Sequence, residues 1–145
     1  MKKLIAITGT EQDTHNFTKT MVMRHGWHML DATYPVKAAA AAFFSVPITA
    51  FNMGEVDHFD LVWGMTYRAM LKRTEQAMRD EFGQDVLARR WLSTFLPLAD
   101  QENVLAIGLD EHVMATVAEF GGEVIDVTGR DLAELALEMS GKVPV

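Results

Sequence analysis

The sequence contains no cysteine. That excludes disulfide cross-links, thiolate nucleophiles and cysteine-ligated zinc. No apolar run reaches the roughly 18–20 residues needed to span a bilayer, so no membrane association is expected. Met1-Lys2-Lys3 is followed at once by an alternating strand pattern rather than by a signal-peptide core with a small-residue cleavage site. The expected compartment is the cytoplasm. Positive charge is also scarce, with 13 Lys and Arg against 20 Asp and Glu and a formal net charge of -7. Broad electrostatic attraction to nucleic acid is therefore not expected. There is no internal repeat, low-complexity tract or linker-like segment. What remains is a chain of 145 residues, 49% hydrophobic, which suits one domain (1–145) with one packed core.

The pattern along the chain alternates strand and helix. Residues 3–8 predict a buried strand, 9–14 a loop and 15–24 a helix ended by Gly26. A second strand is expected over 27–32. A helix follows from Pro35, well suited to a first helical position, to about Ser45. Residues 47–63 read as irregular. Thr66 can cap a helix running to Phe82, where Gly83 breaks it, and Asp85 can cap another over 86–96. Strands over 103–108 and 123–127, with helices over 110–120 and 131–139, complete the pattern, and the last residues should fray. Strands separated by helices indicate a three-layer α/β fold: a mostly parallel sheet of four or five strands with helices on both faces. Ligands bind such sheets at the carboxyl ends of the strands, which directs attention to the loop after the first strand.

That loop reads Thr8-Gly9-Thr10-Glu11-Gln12-Asp13-Thr14-His15-Asn16-Phe17. A phosphate-binding loop has the pattern G-x-x-x-x-G-K-[ST], in which glycines turn backbone amides inward, lysine reaches the outer phosphates and a hydroxyl holds magnesium. Counted from Gly9, Thr14 takes the second glycine position, His15 the lysine position and Asn16 the hydroxyl position. Thr14 is β-branched and resists the dihedrals that glycine accepts. His15 is shorter than lysine, and an imidazole lacks the permanent charge of an ammonium. Glu11 and Asp13 add two carboxylates that repel phosphate. A helix N-terminus still carries partial positive charge, but Asp13 or Thr14 can take it as an ordinary cap.

Other stretches resemble the deoxynucleoside monophosphate kinases of bacteriophages, which have an adenylate-kinase-like P-loop fold. The first strand, loop and helix align with that family without a gap through Arg24-His25-Gly26-Trp27. Tyr34-Pro35-Val36-Lys37-Ala38-Ala39 resembles its D-P-L-K segment and Ala-rich helix. Trp63-Gly64-Met65-Thr66-Tyr67-Arg68 is similar to its W-G-x-[ST]-x-R stretch. Thr74-Glu75, Arg79, Phe82-Gly83, Asp85-Val86 and Arg89 resemble its G-T-E…R-x-x-F-G-x-D-x-W-x-x-R run, and Gly121-Gly122-Glu123-Val124-Ile125 its late strand entry. Departures are equally plain. The phosphate loop (Walker A) is degenerate, and Leu87 replaces the family's tryptophan. The D-x-R-x-x-x-E segment after the third strand has no counterpart in register at Ile107-Gly108-Leu109-Asp110-Glu111-His112-Val113. The region that closes over the phosphates is short or missing.

The resemblance implies a nucleotide-kinase-like domain whose donor loop has lost its chemistry. The expectation is a non-catalytic homologue, a pseudoenzyme, that binds a host or viral protein or a deoxynucleoside monophosphate in the cytoplasm of an infected cell. The alternative is an active nucleoside monophosphate kinase with an atypical loop, using ATP and Mg. In either case the nucleotide- or phosphate-binding candidates are Gly9, Thr14, His15, Asn16, Lys37, Arg68, Arg79, Arg89 and Arg90. No catalytic residue and no metal ligand is assigned. A further alternative is a metal-dependent nucleotide hydrolase built on Glu55, Asp57, His58 and Asp60, against the plainer reading of a polar loop. The ten methionines fit either core packing or an adaptable binding surface. The segment from Ala42 to Phe51 fits either core or a subunit contact in a homo-oligomer.

Overall fold

Leu4–Thr8 forms β1, a short apolar strand with its first four residues buried. In the computed structural model, which describes residues 2–141, β1 is an inner strand of a four-stranded sheet. The other strands are β2 (His28–Asp31), β5 (Val104–Ile107) and β6 (Glu123–Asp126). Their spatial order is β2-β5-β1-β6, and every pairing is parallel. Between β2 and β5 the chain forms a separate two-stranded antiparallel hairpin, β3 (Phe59–Asp60) and β4 (Met65–Thr66). Six α-helices are described: α1 (Glu11–His25), α2 (Tyr34–Phe44), α3 (Tyr67–Phe82), α4 (Val86–Phe95), α5 (Glu111–Glu119) and α6 (Leu132–Met139).

The chain divides into two compact units, with no linker-like composition at either junction. The first holds the parallel sheet and comprises residues up to Ala32 and from Leu87 onward; the second comprises Thr33–Val86. In the first unit, alternation along β1 sends side chains to opposite faces. Ile5 and Ile7 join Phe17 and Met21 of α1, Trp27, Leu105, Val127, and Leu135 and Ala136 of α6 in one buried cluster. Leu4 faces the other way, where it meets Val117 of α5 across Gly122. Trp91 and Phe95 of α4 stack with centroids 4.8 Å apart, and Phe95 meets Phe120 edge-on. Helices thus cover both faces, as the alternating pattern predicts.

The second unit packs α2 against α3. Its core is Ala40, Phe44, Phe51 and Met70, bordered by Val46, Val56, Met65, Tyr67 and Leu71. A 3-10 turn at Ile48–Phe51 brings Phe51 into that core. The hairpin corrects the expectation of irregular chain over 47–63: strands of two residues carry no legible period, and side-chain bonding from Asp60 sets the turn instead. The Thr66 hydroxyl caps α3 by accepting from the Ala69 amide (3.2 Å), as its sequence position predicts. Asp110 and Asp131 cap α5 and α6 in the same way.

Gly122 shows how closely the sheet and α5 approach. A Cβ built there would lie 2.5 Å from Val117 Cγ1 and 2.9 Å from Leu4 Cγ. Gly122→Ala is expected to overpack this face and cost about 1–3 kcal/mol. Urea denaturation measures it, and an unchanged midpoint would show that the face yields without strain.

Candidate functional site

The connections from β1 and β5 leave on opposite faces of the sheet. α1 follows β1 and packs with α6 beside Ile5 and Ile7, whereas α5 follows β5 and meets Leu4. Such a divergence between neighbouring strands is a topological switch point, and the crevice at their carboxyl ends is the usual ligand position in open α/β sheets. The loop after β1, Gly9 and Thr10, lies at this edge.

The loop expected over 9–14 is confined to Gly9 and Thr10, because α1 begins at Glu11. Thr10 has extended backbone dihedrals, and its hydroxyl accepts from the Asp13 amide (3.1 Å). The Thr14 amide donates to the Thr10 carbonyl (2.9 Å), closing the first α-helical turn. Glu11 and Asp13 favour this early start, since carboxylates in the first turn complement the helix dipole. The residues that would arch around a phosphate are therefore wound into a helix. The amides of Asp13 and Thr14 are committed to hydrogen bonds within it.

Residues following β6 complete the arrangement. The Thr10 amide donates to Thr128 Oγ1 (3.2 Å), and the Thr128 amide donates to Asp126 Oδ1 (2.9 Å). The Gly129 amide donates to Asp13 Oδ2 (3.2 Å). Gly9 has φ 141°, and a Cβ there would lie 2.8 Å from Thr128 Oγ1. Glycine is thus required here for a close approach to Thr128 and a dihedral that L-residues avoid. Thr128, Gly129 and Asp126 were not foreseen as part of this site. The charge at this edge is chiefly negative, with Glu11, Asp13, Asp31, Asp110 and Asp126 against Arg130. Phosphate fits poorly beside it.

Of the sequence candidates, Gly9, Thr14, His15, Asn16, Arg89 and Arg90 fall in the first unit, and Lys37, Arg68 and Arg79 in the second. His15 and Asn16 project from α1 into solvent, and Asn16 Oδ1 accepts from Gln12 Nε2 (3.1 Å). Thr14 is half-buried in the first turn, not in a glycine-like conformation. Lys37 is half-buried near the start of α2, and Arg89 is exposed on α4. Arg90 bonds Thr94 Oγ1, one turn along α4. Arg79 pairs with Glu75 (3.6 Å) and donates to the Gln84 carbonyl. Arg68 grips Asp57 through two bonds, Nε to Oδ1 at 2.8 Å and Nη2 to Oδ2 at 3.3 Å.

The acidic stretch is also engaged locally. The Arg68 guanidinium holds the Asp57 carboxyl below its ordinary range. Asp60 Oδ1 accepts from the Val62 and Trp63 amides, at 2.8 and 3.1 Å. His58 lies 3.7 Å from Glu55. Among the described residues no group of three or more His, Asp or Glu is arranged to hold a metal ion. Likewise, among the described residues, no helix is long and apolar enough to cross a membrane. A cleft of about 310 Å³ lies at the opposite, amino-terminal edge of the sheet. Its lining includes Lys2, Lys3, Glu123 and Glu138.

Asp126 offers a pH handle on the filled loop. Bonds from the Thr128 amide and hydroxyl lower its pKa below the ordinary 3.8. A depressed carboxylate stabilises the fold above its unfolded-state pKa, and the contribution is lost as pH falls through the folded value. The Thr128 amide resonance is therefore expected to titrate with a midpoint below 3.8. Asp126→Ala should abolish that titration and speed Thr128 amide exchange. A midpoint at or above the ordinary value would contradict the bonding described.

Compared with known proteins, the chain matches no family model and no curated protein.

Proposed function

We propose that this chain is a non-catalytic relative of the bacteriophage deoxynucleoside monophosphate kinases and acts by binding a host or viral protein. The observation that carries the reading is the start of α1 at Glu11, with only Gly9 and Thr10 between it and β1. Phosphoryl transfer rests on positioning and charge stabilisation. Here the glycine, lysine and hydroxyl positions hold Thr14, His15 and Asn16. Losing one such donor typically costs about 10²- to 10³-fold in rate, and several are missing together. The residues present do not fit the phosphates of ATP with their magnesium.

The strand order supports kinship without requiring activity. Counted along the main sheet it is 2-3-1-4, which differs from both the flavodoxin-like and the Rossmann orders. It is compatible with an adenylate-kinase-like core. Protein binding is favoured over nucleotide storage by the second unit, where large apolar side chains stand in solvent beside a closed polar network. Phe43 is 72% exposed, and Leu61 and Val62 are each 89% exposed. Patches of this kind mark interaction surfaces on soluble proteins. The methionines divide between the two roles: Met21 and Met70 are core, whereas Met23, Met29 and Met53 are exposed.

Titration calorimetry with ATP and with each deoxynucleoside monophosphate, with and without magnesium, tests the proposal. No heat of binding is expected from ATP. A triple variant, Thr14→Gly with His15→Lys and Asn16→Ser, should still fail to bind ATP, because α1 already starts at Glu11. Magnesium-dependent ATP binding by the native chain, followed by phosphoryl transfer that His15→Ala abolishes, would establish the active-kinase alternative instead.

A further inference from the structure

The β3–β4 hairpin of the second unit is built to present apolar side chains. Phe59 is 59% exposed, and the tip residues Leu61 and Val62 are each 89% exposed. Scattered surface hydrophobics need no explanation, but a contiguous set does. Trp63 joins this set to Phe43, with ring centroids 6.1 Å apart, and packs edge-on against Phe44 at 4.8 Å. Leu61 and Val62 make no core cluster; the core of this unit is closed without them.

The hairpin is held, not loose. Asp60 Oδ1 accepts from two amides of the turn, and the Gly64 amide donates to the Asp60 carbonyl (2.8 Å). Trp63 Nε1 donates to the Phe44 carbonyl (3.0 Å), satisfying an acceptor in the last turn of α2. A tip fixed in this way loses little conformational freedom on docking. Tryptophan is also among the side chains most enriched in binding anchors.

Charge decides what the tip meets. Residues 52–68 contain Glu55, Asp57 and Asp60 against Arg68 alone, within a chain of net charge -7. Arg68 offsets Asp57, but Glu55 is exposed beside a histidine. An anionic lipid surface would be repelled by this base. Two copies meeting tip to tip would oppose like charges.

We propose that the Phe59–Thr66 hairpin inserts its apolar tip into a hydrophobic groove of a different protein, one whose rim carries lysine and arginine. The inference rests on the protein-binding reading and names the class of partner.

The test replaces Val62 by a benzophenone amino acid in the full chain and irradiates it in native cell extract. The same probe at Met23, exposed on α1, is the control. The expected product is an adduct with a different protein. Its crosslinked peptide should map to an apolar segment flanked by Lys or Arg. Its yield should fall about fivefold or more between about 50 and about 500 mM NaCl, and fall again with Glu55→Lys. Leu61→Asp, at a position with no core contact, should remove it while the thermal melt stays unchanged. An adduct with a second copy, an adduct with lipid, a salt-insensitive adduct, or no adduct above the Met23 control would each overturn the proposal. Those outcomes leave the nucleotide titration untouched, whereas ATP binding would overturn the non-catalytic reading without bearing on the hairpin.

Discussion

The hydroxyl of Thr10 sets the character of the sheet's carboxyl edge. By accepting from the Asp13 amide it lets α1 begin at Glu11, directly after the turn at Gly9. A helix N-terminus leaves amides that must find partners, and an anion is one solution. Here the partners come from the chain itself. Thr10 serves Asp13 and Thr128 serves Thr10. Asp13 in turn serves Gly129 across to the loop that follows β6. Each of these bonds is individually modest. Together with the carboxylates of Glu11, Asp13 and Asp126, they commit the Thr10, Asp13, Thr14 and Gly129 amides within the chain and make this edge negatively charged.

The second unit shows the opposite balance. Its polar groups are bonded with care, while large apolar side chains stand in solvent. Arg68 is occupied by Asp57, Arg79 by Glu75 and the Gln84 carbonyl, and Asp60 by the turn amides. Trp63 braces the hairpin against α2. The proposed protein binding rests on this arrangement, which satisfies polar groups locally and exposes Leu61 and Val62. That supports recognition of a protein more readily than recognition of a phosphate.

Much of this was legible where residue chemistry leaves one solution. Gly26 ends α1 in the left-handed conformation, with φ 70°, and Gly83 ends α3. Thr66, Asp110 and Asp131 cap the helices that follow them. Apolar alternation marked the strands of the main sheet to within about two residues. The start of α1 at Glu11 differs from the expected residue 15 because a phosphate-loop spacing overlaps residues 9–14. The competing signal was present: Thr10-Glu11-Gln12-Asp13 has the spacing of a capping box. It is only half realised, since the Asp13 carboxylate turns to Gly129. The hairpin's strands are two residues long and carry no legible period; Asp60 and Gly64, bracketing Leu61-Val62-Trp63, are its one sequence clue. Thr128 and Asp126 lie more than a hundred residues from Thr10, and no local pattern announces that contact.

Residues 11–14 form the first turn of α1, where the proposal requires a helix in place of a phosphate cradle. Backbone chemical shifts of residues 9–16, recorded before and after addition of ATP and magnesium, test it directly. Helical Cα shifts from Glu11 onward, a Thr14 amide protected from exchange and no change on addition of nucleotide are the predicted result. Loop-like shifts through Thr14 that become ordered when ATP is added would contradict it.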